Sequence, residues 1–140
     1  MIISIKKLNP AAQIPKRNTP TDAGYDIFSI EEVTIPQGQR VIIPTGISLS
    51  LPTGYFARIC DRSGLAAKHG LHCLAGICDA GYSGEYKVVL VNLGELSVTL
   101  LAGTRVAQLI IEKCYDVEWI EVDKLSESER GENGFGSSGN

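Results

Sequence analysis

Three features of the sequence predict an all-β protein. Short β-branched or alternating apolar segments recur along the chain, turn chemistry separates them at intervals of roughly eight to twelve residues, and one stretch alone, Gly64–His69, reads as a helix. That pattern belongs to a β-sandwich or barrel. The first strand is IISIKK at 2–7. Residues 8–22 hold three prolines and no periodicity, which predicts an irregular loop. A short strand follows at 23–28, AGYDIF, kinked at Gly24. Breaks at Gln37-Gly38, Thr45-Gly46 and Pro52-Thr53-Gly54 divide residues 31–60 into further strands. Ile47, Leu49 and Leu51 alternate with Ser48 and Ser50, as on a half-buried strand. The apolar runs at 71–78 and 86–91 flank Asp79–Gly84 like the two limbs of a β-hairpin. Turns at Leu93-Gly94-Glu95 and Ala102-Gly103 bracket another strand, and residues 105–125 continue as one or two more. The remainder, SESERGENGFGSSGN, is too rich in glycine and serine for regular structure. The chain therefore divides into a β-domain at 1–125 and a flexible Gly-rich C-terminal arm at 126–140.

Composition removes several classes of function. A chain of 140 residues is long enough for one domain with one core. No apolar run reaches the length of about 18 residues that spans a membrane, and MIISIKKLNP does not resemble a signal peptide. A soluble, cytoplasmic protein is expected. The net charge of -3, without a basic patch interleaved with aromatics, argues against nucleic-acid binding. Cys60, Cys73, Cys78 and Cys114 form no C-x-x-C pair. They read as small buried hydrophobes in a reducing compartment, in preference to a Cys/His metal site with His69 and His72.

Two stretches and the tail carry chemistry. Arg62-Ser63-Gly64 opens LAAKHG, with Ser63 expected as the N-cap and Gly70 closing the helix in the left-handed conformation. The first helical N–H groups, the Ser63 hydroxyl and the Arg62 guanidinium then converge where phosphate oxygens can be held. Asp79 stands at the tip of the expected hairpin in GICDAGYSG, 76–84. Taken alone it is an ordinary turn aspartate. In the tail, Arg130, Phe135, Ser137 and Ser138 sit on a glycine-rich backbone, a combination suited to an aromatic ring over a base and polar groups on phosphate.

Together these segments resemble the trimeric-type dUTP pyrophosphatase (dUTPase) family. All five family motifs occur in order: AGYDI at 23–27, RSGLAAKHG at 62–70, GICDAGYSGE at 76–85, GTRVAQLI at 103–110 and RGENGFGSSG at 130–139. The third departs from the family's usual pattern, with Cys78 for an isoleucine and Gly81 for a second aspartate, and the fifth has Asn133 for a glycine. The resemblance implies a jelly-roll-like β fold, a homotrimer with active sites at subunit interfaces, and hydrolysis of dUTP to dUMP and pyrophosphate with Mg²⁺. In the family this supplies dUMP for thymidylate synthesis and keeps uracil out of DNA.

The resemblance also implies roles for residues. Asp79 matches the base that orients the attacking water at the α-phosphorus. Tyr82 matches the platform under the deoxyribose, which leaves no room for a 2′-hydroxyl. Uracil is read by groups near Gly76, Ile77, Cys78 and Lys87. Arg62, Ser63, Gly64 and Gln108 match phosphate-binding positions, and Arg130, Gly136, Ser137 and Ser138 hold the outer phosphates while Phe135 stacks on uracil. Asp26 is open to two readings: a water-mediated contact to Mg²⁺, or a structural carboxylate paired with an arginine such as Arg105. Two rivals stand beside this one. A dCTP deaminase shares the fold and the turn, but needs a glutamate where this chain has Val89. A non-catalytic nucleotide-binding domain has no need of Asp79.

Overall fold

Alternation of apolar and polar residues, punctuated by glycine turns, produces eleven strands and one helix in the computed structural model, which describes residues 1–133. The strands are β1 (Ser4–Lys7), β2 (Tyr25–Phe28), β3 (Val33–Ile35), β4 (Arg40–Ile43), β5 (Ile47–Ser50), β6 (Tyr55–Cys60), β7 (Leu71–Leu74), β8 (Ile77–Cys78), β9 (Val88–Asn92), β10 (Val98–Leu100) and β11 (Arg105–Lys113). The helix α1 is Ser63–His69. Pairing is antiparallel throughout. The sheets run β2-β11-β6-β8, β4-β9-β7, β1-β5 and β10-β3. This is the all-β, jelly-roll-like architecture that the pattern of short strands predicts.

Inward-facing residues of most strands supply the core. Ile27, Ile43, Ile47, Val88, Leu90 and Val106 are fully buried. Each such side chain contributes on the order of 1.5–3 kcal/mol relative to exposure. The buried Asn92 is satisfied on every side. Its Nδ2 donates to the carbonyls of Ile35 at 2.9 Å and Leu96 at 2.8 Å, and its Oδ1 accepts from the Gly94 N–H at 2.9 Å. A buried amide so fully paired costs little, whereas an unpaired one costs about 1–3 kcal/mol.

The central strand of the largest sheet positions the site. In β11, Gln108 stands opposite Asp26 of β2 on one side and Cys60 of β6 on the other. The loop at 8–22 is tied to β2 by a two-bond bridge: Asp26 N–H to the Lys16 carbonyl at 2.8 Å and Lys16 N–H to the Asp26 carbonyl at 3.3 Å.

Four local expectations are corrected. The run at 71–78 is two strands in different sheets, because the backbone turns at Ala75 (φ 60) and Gly76 (φ 105). β8 therefore pairs with β6 while β9 pairs with β4 and β7, so Asp79–Gly84 is a turn crossing between sheets and not a hairpin tip. Ser63 is the first helical residue; the N-cap is Arg62, and no side chain caps the helix. Ser48 is buried, held by a bond to the Ser83 carbonyl that strand alternation does not reveal. After Lys113 no strand forms among the described residues, although 115–122 is apolar enough to predict one, since none of the described strands pairs with it.

Candidate active site

The Arg62-Ser63-Gly64 segment is shaped by β6 ending at Cys60 and α1 starting at Ser63. The first intrahelical bonds run from the Leu65 and Ala66 N–H groups to the Arg62 carbonyl, at 2.9 and 3.0 Å. The N–H groups of Ser63 and Gly64 come before these bonds and face out of the helix start, the geometry that holds anions. Gly70 (φ 67) closes α1 in the left-handed conformation.

Asp61, just before this segment, fastens it in place. Its carboxylate accepts from His72 Nδ1 at 2.7 Å and from the Cys73 N–H at 2.5 Å, and its carbonyl accepts from Gln108 Nε2 at 2.7 Å. Burial works to raise the Asp61 pKa, but the hydrogen bonds from His72 and Cys73 outweigh it and hold the carboxyl below its ordinary range. Gly24 completes the arrangement. A Cβ there would lie 2.0 Å from Gln108 Oε1, so only glycine lets the amide lie in this position.

Asp26 sits between two arginines. Its Oδ1 accepts from Arg62 Nε at 2.8 Å and its Oδ2 from Arg105 Nη1 at 3.3 Å. The structural reading of Asp26 is thus present in the geometry, and Arg105 is its partner. The carboxylate neutralises and aims two guanidinium groups that would otherwise repel each other. These residues line a polar cavity of about 490 Å³ together with Ser63, Gly64, Gln108, and Asn18 and Asp22 from the loop. The loop is itself locked at Asp22, whose carboxylate accepts from the Thr19 hydroxyl at 2.6 Å and from the Thr19 and Asn18 N–H groups at 2.9 and 3.1 Å. The Thr19 bonds first of all hold the Asp22 pKa below its ordinary value.

Gly76, Ile77, Cys78, Tyr82 and Lys87 line a second cavity, of about 200 Å³, with Ile59 and Leu74 at its back. Gly76 approaches β6 closely: Ile59 N–H donates to the Gly76 carbonyl at 2.8 Å, and a Cβ at Gly76 would lie 2.6 Å from the Ile59 oxygen. Asp79 is exposed on the turn, its carbonyl accepting from the Tyr82 N–H at 3.1 Å. Tyr86 lines this cavity and is only 1 % exposed. Burial, then Cys78, Tyr82 and Asp79, push its phenol up to about 12, so the hydroxyl stays neutral.

Within one chain, then, Arg62, Ser63, Gly64, Gln108 and Asp26 come together, and so do Gly76, Ile77, Cys78, Tyr82 and Lys87, but the two cavities share no residue. Arg130 lies in a turn, its Nε donating to the Asn133 carbonyl at 2.7 Å. Phe135, Gly136, Ser137 and Ser138 lie outside the described residues. The sequence reading missed Asp61, Gly24 and Tyr86 as site residues. Asp61 could have been flagged by its place directly before Arg62-Ser63-Gly64, and Gly24 by its place in AGYDI; Tyr86 acts through contacts across the fold and leaves no local signature.

No group of three or more His, Cys, Asp and Glu side chains that could cage a metal forms among the described residues. Both Asp26 oxygens already accept from arginine. The chain fits a cation bound mainly through substrate oxygens and water, which is the usual habit of Mg²⁺ beside phosphates.

The dUTPase family model matches residues 10–139. The chain is 45% identical over 139 residues to the deoxyuridine 5′-triphosphate nucleotidohydrolase of Clostridioides difficile, covering 98% of this chain and 97% of that protein. It is 43% identical to the Saccharomyces cerevisiae protein of the same name, covering 99% and 95%. A variant of the Staphylococcus bacteriophage 80alpha dUTPase, solved with dUpNHpp, superposes with a TM-score of 0.93 at 34% identity, covering 99% of each chain. A dUTPase from phage phi11 of S. aureus, described with a structural Mg(II) ion, gives a TM-score of 0.82 at 28% identity over 89% of this chain and 98% of that one. By fold, motifs and these likenesses, the chain belongs to the dUTPase family.

Proposed function

We propose that the protein is a dUTP diphosphatase, releasing dUMP and pyrophosphate by attack of water on the α-phosphorus, and so supplies dUMP for thymidylate synthesis while keeping uracil out of DNA. The observation that carries the reading is the division of labour between the two cavities. One is polar and built around paired arginines, suited to a triphosphate; the other is small and lies beside Tyr82, suited to a nucleoside.

Asp79, exposed beside the nucleoside cavity, accepts a proton from the attacking water. A carboxylate is a weak base, so most of the acceleration comes from positioning the triphosphate and neutralising its charge. Arg62, the N–H groups at Ser63 and Gly64, and Gln108 bind its oxygens, with Asp26 and Asp61 fixing the binding groups. Mg²⁺, when bound on the triphosphate, would supply further charge neutralisation, and Asp26 is the residue that would hold it, through water. Tyr82 packs on the deoxyribose and excludes a 2′-hydroxyl. Gly76, Ile77, Cys78 and Lys87 read uracil, the backbone pattern rejecting cytosine by its reversed pairing edge.

The likeness to the trimeric-type family, together with the separation of the two cavities within one chain, supports a complete site formed between copies in a homotrimer. Residues 126–140 act as an arm over the site, with Arg130, Gly136, Ser137 and Ser138 on phosphate and Phe135 on uracil. Pyrophosphate release measured side by side for dUTP, dCTP, dTTP and UTP tests the reading, with ammonia release from dCTP followed in parallel. Turnover of dUTP alone is expected; ammonia from dCTP would move the chain to the deaminase chemistry. Asp79→Asn is expected to bind dUTP but lose about 10²-fold or more in kcat. Unchanged turnover in that variant would remove Asp79 from the mechanism.

A further inference from the structure

Four hydrogen bonds fasten the chain beyond Asp79 to β5 and the residues before it. The Thr45 hydroxyl donates to the Tyr86 carbonyl at 2.5 Å, and the Gly46 N–H to Glu85 Oε1 at 2.8 Å. The Tyr86 N–H donates to the Ile47 carbonyl at 2.9 Å, and the Ser48 hydroxyl to the Ser83 carbonyl at 2.7 Å. Thr45 and Ser48 are buried, and their hydroxyls are consumed by this fastening. Residues 83–86 therefore form a fixed base.

The ring of Tyr82 rests on that base. It folds back over Gly84, where a Cβ would meet its Cζ at 2.7 Å, and its hydroxyl donates to the Glu85 carbonyl at 2.9 Å. The buried ring of Tyr86 backs it, with centroids 5.7 Å apart and planes tilted by 42°, a favourable aromatic contact. Tyr82 itself is 46% exposed, so one side of the ring is supported and another is left for a ligand.

We propose that Tyr86 is a positioning residue that fixes the plane of the Tyr82 ring, and that the preference for deoxyribose over ribose depends on it. This rests on the reading of Tyr82 as the sugar platform. Exclusion by a clash is only as sharp as the clashing group is rigid. A ring without backing tilts away, admits the extra hydroxyl and packs less well on the smaller sugar. The Tyr86 hydroxyl has no hydrogen-bond partner among the described residues, so the role falls to its ring.

The test is kcat/KM for dUTP and for UTP on the full chain, with wild type, Tyr82→Ala, Tyr86→Leu and Tyr86→Phe compared. Tyr86→Leu is expected to lower the dUTP/UTP ratio by roughly 10-fold, within the range by which a pocket discriminates a single hydroxyl. Tyr86→Phe, which keeps the ring, restores the ratio. A purely structural Tyr86 would lower the melting temperature of the leucine variant and leave the ratio alone. If Tyr82→Ala lowers the ratio and a folded Tyr86→Leu does not, the inference fails while the platform reading stands. If Tyr82→Ala leaves the ratio unchanged, both fail. An equal loss in Tyr86→Phe would assign the effect to the hydroxyl and overturn the proposal. Should the leucine variant not fold, Tyr86→Met decides, since it fills more of the same buried space without a ring. A lowered ratio in that variant supports the proposal, and an unchanged one rejects it.

Discussion

Asp61 shows how one carboxylate couples three elements. It joins the end of β6 to β7 through His72 and Cys73, and to β11 through Gln108. Because hydrogen bonding holds its pKa in the folded chain below the ordinary value, Asp61 contributes stability that is full above the unfolded pKa, near ~3.9, and is lost as pH falls through the folded value. The urea midpoint of wild type is therefore expected to exceed that of Asp61→Asn at about pH 6, with the gap closing towards about pH 3. A gap that stays constant over that range would show that the charge has no part in the fastening. The pair of Asp26 with Arg105 was one of the two readings that the sequence left open for Asp26. The fastening by Asp61 was not legible there, since its partners are eleven and twelve residues downstream, on a strand whose register only the fold defines.

At the level of elements, two glycines distinguish a soft contact from a hard one. A Cβ at Gly24 would meet the Gln108 side chain, with its Oε1 at 2.0 Å and its Cβ at 3.0 Å, so the amide must swing away and the base of the side chain shift slightly. Gly24→Ala is expected to cost under about 1.5 kcal/mol of stability while raising KM for dUTP, since the displaced amide leaves both the Asp61 carbonyl and the phosphate cavity. A Cβ at Gly76 would meet the backbone oxygen of Ile59, at φ +105, where L-residues are strained as well. Gly76→Ala is expected to cost about 2 kcal/mol or more. Urea unfolding and KM for the two variants check both, and a Gly76→Ala protein as stable as wild type would show that the β8 edge yields. The same position explains the principal misreading of the elements. The apolar run at 71–78 carries no polar break, so periodicity alone cannot see that the positive φ values of Ala75 and Gly76 send its halves to different sheets. The helix, by contrast, was visible from Gly70, whose left-handed geometry suits glycine.

The whole molecule presents an unfinished surface. Tyr115, Val117, Ile120 and Leu125 are exposed on a segment that pairs with no strand among the described residues. Large apolar side chains left exposed along one segment fit a contact with another molecule. Together with the two separate cavities, it supports assembly into the proposed trimer. Deleting residues 126–140 is expected to leave a folded assembly of unchanged sedimentation behaviour with greatly reduced dUTP turnover. Near-normal hydrolysis by the truncated chain would reject the arm's role. The expectation of a trimer came only through the likeness to a known family, because strand periodicity reports which face is buried and not which chain covers it.

The chain's single tryptophan, Trp119, lies on that same segment and is 90% exposed. In the proposed trimer its fluorescence becomes a built-in gauge of association. Emission typical of an indole in water on extreme dilution, moving to shorter wavelengths as concentration rises, would follow the joining of subunits without any added dye.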